Sequence, residues 1–171
     1  RKALDENDAD EIALEALDRL YTASGSEELA FVLEKRREIE ADSAARAELG
    51  RRLGALAETK LHRPHDAIDA YVRVLDEEPS AKDALEALSR LYQRQAMWPE
   101  LVENLRRRVA IAETDAERSA LTFRAGEVLD RELDDAVEAI ACFEEVLRIE
   151  PTHAEATRAL LTLAQRSEHL E

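Results

Sequence analysis

Asp66–Pro79 reads DAIDAYVRVLDEEP, and 72 residues further on the chain writes Glu138–Pro151 as EAIACFEEVLRIEP. The apolar letters shared by the two copies stand at Ala67/Ala139, Ile68/Ile140, Tyr71/Phe143, Val74/Val146 and Leu75/Leu147. Spacings of one, three and four residues put them on one stripe of a helix at period 3.6, and the proline stops it. The same offset pairs Leu29/Leu101, Leu33/Leu105, Arg36/Arg108, Ile39/Ile111, Arg46/Arg118, Leu49/Leu121, Arg52/Arg124, Gly54/Gly126 and Leu61/Leu133. An echo at fixed distance marks a repeat array. Each copy holds four predicted helices, so the elementary unit is a helical hairpin of half that length, close to a ~34-residue period. Short connections make successive helices antiparallel, and a hairpin that cannot bury both its faces alone needs the next one.

Composition agrees with helices. Of 171 residues, 45% are hydrophobic, 37% charged and only 4% aromatic, and four Gly with four Pro leave little turn chemistry. Valine and isoleucine fall within helical-period stretches rather than alternating runs, so no strands are expected. The net charge of −15, from 39 acids against 24 bases, repels nucleic-acid phosphates and anionic lipid and argues against both as partners. Cys142 is the single cysteine, which excludes an internal disulfide. No apolar run approaches the ~18–20 residues that span a bilayer, so membrane insertion is not expected, and no signal peptide is visible. The compartment stays open, with the cytoplasm slightly favoured. The chain opens on Arg1-Lys2 and closes on Ser167–Glu171, which reads as the start of another element. Both ends are expected to be cuts through a longer protein.

In chain order, the first helix is expected from about Asp8 to Ala23, with Ile12, Ala13, Ala16, Leu17, Leu20 and Tyr21 inward and Ser24-Gly25 as its break. Ser26 caps a second helix carrying Leu29, Val32, Leu33 and Ile39. Asp42-Ser43 caps a third, which buries Leu49, Leu53, Leu56 and Ala57. The opening stretch follows the break His62-Arg63-Pro64. Ser80 begins a helix whose Ala84, Leu85, Leu88, Leu91 and Tyr92 copy the first helix at an offset of 71. Trp98-Pro99 starts the next, with Leu101, Leu105 and Val109 inward. Thr114-Asp115, Asp134-Asp135 and Thr152 open the last three. The domain is thus a single one over residues 1–171, with hairpins at about 8–41, 43–79, 80–113 and 114–151 and a final helix at 152–166.

These units resemble tetratricopeptide repeats. That family places a Leu-Gly or Leu-Ala step in the first helix of a hairpin, an Ala and an aromatic in the second, and a closing Pro. Leu53-Gly54, Ala67, Tyr71 and Pro79 match in order, and Ala125-Gly126, Ala139, Phe143 and Pro151 match again with Ala in place of Leu. The hairpins beginning near Ile12 and Leu85 keep only the first half of the pattern, with Leu101 standing where Ala is expected. The resemblance implies an all-α fold, a right-handed α-α superhelix of about four hairpins plus a final helix. It also implies a non-catalytic scaffold that binds a protein or peptide along a concave wall. The alternatives are a regulatory domain of a larger enzyme such as a kinase, and a self-assembling array joined through open ends.

In that family the first helix of each hairpin lines the inner wall. Carried over, the exposed wall positions are Glu15, Arg19, Glu48, Arg51, Glu86, Arg90, Arg94, Phe123, Glu127, Arg131 and Arg158. Glu15–Arg19, Glu48–Arg52, Glu86–Arg90 and Glu127–Arg131 also read as ordinary four-residue pairs on solvated helix faces, worth a few tenths of a kcal/mol each. A Lys/Asn clamp for a peptide carboxylate is not expected, since Asn7 and Asn104 fall off the wall. The runs Lys35-Arg36-Arg37 and Arg106-Arg107-Arg108 read either as docking patches or as cations favouring the carbonyl ends of their helices. His62 and His65 are too few for a metal site, Cys142 reads as a small core residue, and Trp98 reads as a staple. No phosphate loop, nucleophile–base pair or catalytic carboxylate pair is visible, and no cofactor is implied.

Overall fold

A computed structural model of the chain describes residues 2–22 and 26–168, with side chains at 11–22 and 26–166. Among the described residues there are nine helices and no strand. They are α1 (Lys2–Thr22), α2 (Glu27–Ile39), α3 (Ser43–Thr59), α4 (Pro64–Glu77), α5 (Lys82–Arg94), α6 (Trp98–Ile111), α7 (Asp115–Arg131), α8 (Ala136–Ile149) and α9 (Ala154–Glu168). None is long and apolar enough to cross a membrane. The expected break at Ser24-Gly25 and the side chain of Asn7 lie outside what is described. Helix α1 begins before Asp8, and Ser167-Glu168 end α9 instead of opening a further element.

Side-chain oxygen caps fix three of the helix starts. Asp42 accepts from the N–H of Ala45, Thr114 from Glu117 and Asp135 from Glu138, each satisfying a donor the first turn leaves free. Ser26 holds the N-cap position of α2, but its side chain makes no capping bond. The start expected at Thr152 moves to Ala154, because His153 Nδ1 accepts the Ala156 N–H at 3.1 Å. Between hairpin helices the chain turns through left-handed residues without glycine: His62 (φ 55°), Ala96 (φ 53°) and Asp134 (φ 51°). His62 and Asp134 are 72 residues apart and sit in the same wrap. Arg63 N–H bonds Ala57 C=O, and Asp135 N–H bonds Leu129 C=O, both at 2.9 Å. His62 is therefore a turn residue.

The chain forms two compact units, Arg1–Leu91 and Tyr92–Glu171. In the first, α1, α2, α3 and α4 pack in succession. Contacts run in opposite directions along α3 and α4: Arg46 bonds Glu77, Gly50 meets Val74 and Gly54 meets Tyr71. The pair is antiparallel. A Cβ on Gly54 would lie 2.8 Å from two ring carbons of Tyr71, so only glycine lets the ring in so far. Leu29, Leu33, Leu49 and Leu56 form the adjoining core, with Tyr21 and Leu61 against it. In the second unit α6, α7, α8 and α9 pack in the same succession, and Gly126 receives Phe143 as Gly54 receives Tyr71.

One expected core stripe is not a core. Ile12 is 70% exposed and Leu20 67%, and Ala13, Ala16 and Leu17 also face outward. The buried residue among the described side chains of that helix is Asp18, at 4% exposure. On α5, which carries the same stripe, Leu85 and Leu91 are fully buried. The difference is cover: α2 and α3 lie on one side of α1, and no described helix lies on the other. Ile39, also expected inside, is exposed on the last turn of α2.

Candidate functional site

In the second unit, α7, α8 and α9 enclose a groove of about 310 Å³. Phe123, Glu127 and Arg131 recur on one side of α7 at helical spacing, and Arg158 stands on α9. The structure thus gathers four of the expected wall residues in one place. Its floor is aromatic. The Phe123 ring lies 5.5 Å from that of the buried Phe143, tilted by 51°, and 4.8 Å from the ring of His153.

The acids of this groove differ in how fully they are used. Glu127 receives Arg131 at 3.0 Å and Arg124 at 3.8 Å, and Asp130 receives Arg166 at 2.5 Å. Glu155 Oε2 lies 3.6 Å from His153 Nδ1, but that nitrogen's lone pair already accepts the Ala156 N–H. We therefore read His153 as a helix cap and Glu155 as uncommitted. Arg158 is exposed and makes no ion pair among the described residues. The arrangement offers an aromatic floor, one uncommitted guanidinium and one uncommitted carboxylate.

The position equivalent to Phe123 is closed in the first unit. Arg51 stands where the second copy has Phe123, and its guanidinium bonds Glu78 and, at 2.7 Å, Asp83. Those two carboxylates hold Arg51 firmly in its charged form, its pKa raised above the ordinary value. Arg90 reaches Glu58 at 3.8 Å. Glu15 pairs with Arg19 at 3.7 Å and also with Arg36 at 3.6 Å. Glu48, Glu86 and Arg94 are exposed on α3 and α5. The expected Glu48–Arg52 pair gives way, because Arg52 spends its guanidinium on Asp18 at 2.5 and 2.8 Å.

Of the basic runs, Lys35 bonds Glu38, Arg36 bonds Asp18, Arg37 lies by Glu34 and Arg106 bonds Glu138. Asn104 is buried on α6, off the groove. Cys142 is half-buried, with burial the main cause of a raised thiol pKa, and it lines a second groove described below. No group of three or more metal-ligating side chains occurs among the described residues. Phe143 and His153 escaped the sequence reading as site residues. Phe143 looked like pure core, and nothing in the letters places an imidazole against Phe123.

No family model matches the chain, and no curated protein matches it. Solved structures do. A MamA protein superposes with TM-score 0.54 at 15% identity over 91% of this chain and 81% of its own. The first TPR domain of Spaghetti (RPAP3), bound to the HSP90 peptide SRMEEVD, gives 0.50 at 24% over 74% and 96%. YrrB, described as a TPR protein with an unusual peptide-binding site, gives 0.50 at 17% over 87% and 73%. The chain has the tetratricopeptide-like, all-α helical-repeat fold.

Proposed function

We propose that this chain is a non-catalytic protein-interaction scaffold, and that the Phe123 groove of its second unit holds a peptide segment of a partner. Two of the similar structures are described as peptide-bound or peptide-binding, which supports a protein or peptide partner in general. The observation that carries the reading is the contrast between copies. Where the first copy consumes Arg51 in two ion pairs, the second exposes an aromatic floor beside the uncommitted Arg158 and Glu155. An apolar side chain stacks on Phe123, and its charged neighbours meet Arg158 and Glu155 at the rim.

A phage-displayed random peptide library, panned on the 171-residue chain, tests this. Selected peptides should lose at least tenfold in affinity with Phe123→Ala or Arg158→Glu, and keep it with Glu48→Ala. Peptides indifferent to both groove changes sink the assignment. A second reading, end-on self-association, is favoured by the exposed Ile12 and Leu20 of α1. Light scattering over a range of concentrations distinguishes it, because a strict monomer excludes it.

A further inference from the structure

Each unit carries a second groove, and the two grooves are copies. One lies in the first unit among α2, α3 and α4, the other in the second among α6, α7 and α8. Six of the eight residues lining the second-unit groove align, at the 72-residue offset, with residues lining the first. The duplication therefore gives two versions of one site to compare.

In the first unit the groove measures about 240 Å³ and is spanned by charge. Arg73 reaches from α4 to α2, where its Nη1 bonds Glu34 at 2.5 Å. Leu53 and Ala70 line the same groove. In the second unit three changes clear the same space. Ala125 replaces Leu53, Ala141 replaces Asp69, and Glu145 stands where Arg73 was. The volume rises to about 500 Å³, and the walls are almost wholly apolar. The rim has also changed sign. Arg106, in the place of Glu34, turns to Glu138, which among the described residues leaves Glu145 a pair with Arg148 three residues along its own helix. An exposed pair of that kind holds a few tenths of a kcal/mol and is readily exchanged.

We propose that the groove between α6 and α8 is a recognition site for a partner protein's arginine flanked by a bulky apolar residue. The choice of arginine follows from the first copy, where the chain supplies its own guanidinium at this groove. In the second copy that arginine is absent and a carboxylate marks its place. An incoming arginine lays its methylenes on Ala125 and Ala141 and its planar head on Glu145. The neighbouring apolar side chain fills the remaining space by Val109 and Cys142. The chain's net charge of −15 favours a cationic partner at longer range as well. This site approaches α7 from the side away from Phe123, and it stands or falls independently of the groove there.

The test is a methyl-resolved NMR titration of the intact chain with acetyl-Leu-Arg-Leu-amide, and with the same peptide carrying citrulline, which keeps the shape and drops the charge. Saturable shifts are expected at the methyls of Val109, Ala125 and Ala141. Citrulline should weaken them at least fivefold, and so should Glu145→Gln, a near-isosteric change at a half-exposed position. Ala141→Leu, on the open side of the groove, should abolish them by filling the space. Equal binding of the citrulline peptide overturns the proposal, as does binding that survives Ala141→Leu. Shifts confined to Ala159 and Thr162, in the Phe123 groove, overturn it too.

Discussion

Asp18→Asn is the change whose consequences the structure determines most closely. Asp18 is the only buried charged side chain among the described residues, held from three sides on α1, α2 and α3. Arg52 donates to it at 2.5 and 2.8 Å, Arg36 donates as well, and the Thr22 hydroxyl approaches at 3.2 Å. Asparagine keeps the shape, removes the charge and points an NH₂ at groups that are themselves donors. Breaking a fully buried pair typically costs ~3–5 kcal/mol. Here the guanidiniums keep 24% and 33% of their exposure and can rehydrate. The loss therefore falls to about the strength of one or two charge-assisted hydrogen bonds, roughly 1.5–3 kcal/mol.

The pH dependence carries the same signature. The Arg52 bonds outweigh burial and, with Arg36 and Thr22, hold the Asp18 carboxyl below its ordinary value of 3.8. A carboxylate with a depressed folded pKa stabilises the fold above the unfolded pKa, and that stability is lost as pH falls through the folded one. Urea unfolding followed by far-UV circular dichroism at pH 7 and stepwise to pH 3 measures both effects. The wild-type chain should lose its advantage over Asp18→Asn only below about pH 4. Amide exchange should show the deficit concentrated in α1. A loss under ~0.5 kcal/mol at pH 7, with unchanged protection of α1, refutes the argument.

Further predictions concern packing and turns. A methyl on Gly126 would lie 2.8 and 3.0 Å from Phe143 ring carbons. Overpacking of ~1–3 kcal/mol therefore outweighs the ~1 kcal/mol that alanine gains in a helix, and Gly126→Ala should lower the urea midpoint. Ala96→Gly should raise stability by about 0.5 kcal/mol in the same assay, since its φ of 53° costs an L-residue more than glycine's extra entropy. Leu20→Ala should change thermal stability by less than ~0.5 kcal/mol, whereas Leu91→Ala, at the same place one copy later, should cost ~2–5 kcal/mol.

That last contrast shows where the letters stop. Periodicity tells which side chains share a helix face, and it put Tyr71 and Phe143 on the buried stripe in both copies, though not against the glycines at 54 and 126 that receive them. It does not tell whether a neighbour covers that face, so Leu20 and Leu91 read alike although one is exposed and the other buried. Charge pairing held at Glu15–Arg19 and Glu127–Arg131 but failed at Glu48–Arg52 for a related reason. Four-residue spacing predicts Glu48–Arg52, but an exposed intrahelical pair is weak, and a bidentate bond to the buried Asp18 is stronger. Long-range partners of that kind leave no periodic trace.

The duplication itself supplies the control that a single repeat lacks. The two copies agree where packing demands it, at the glycine–aromatic crossing and at the left-handed turn. At two places they differ in one direction: Phe123 for Arg51, and Ala141 with Glu145 for Asp69 with Arg73. In each case the first copy satisfies its charges internally, and the second removes the internal partner and leaves an apolar surface beside a weakly committed charge. A folding requirement acts on both copies alike, and since both fold with the same helix succession it does not account for the difference. Recognition by a partner acts only on the copy that is touched. The proposed binding thus draws on the second unit, and exchanging Phe123 and Ala141 for their first-copy counterparts should remove it while leaving the helices in place.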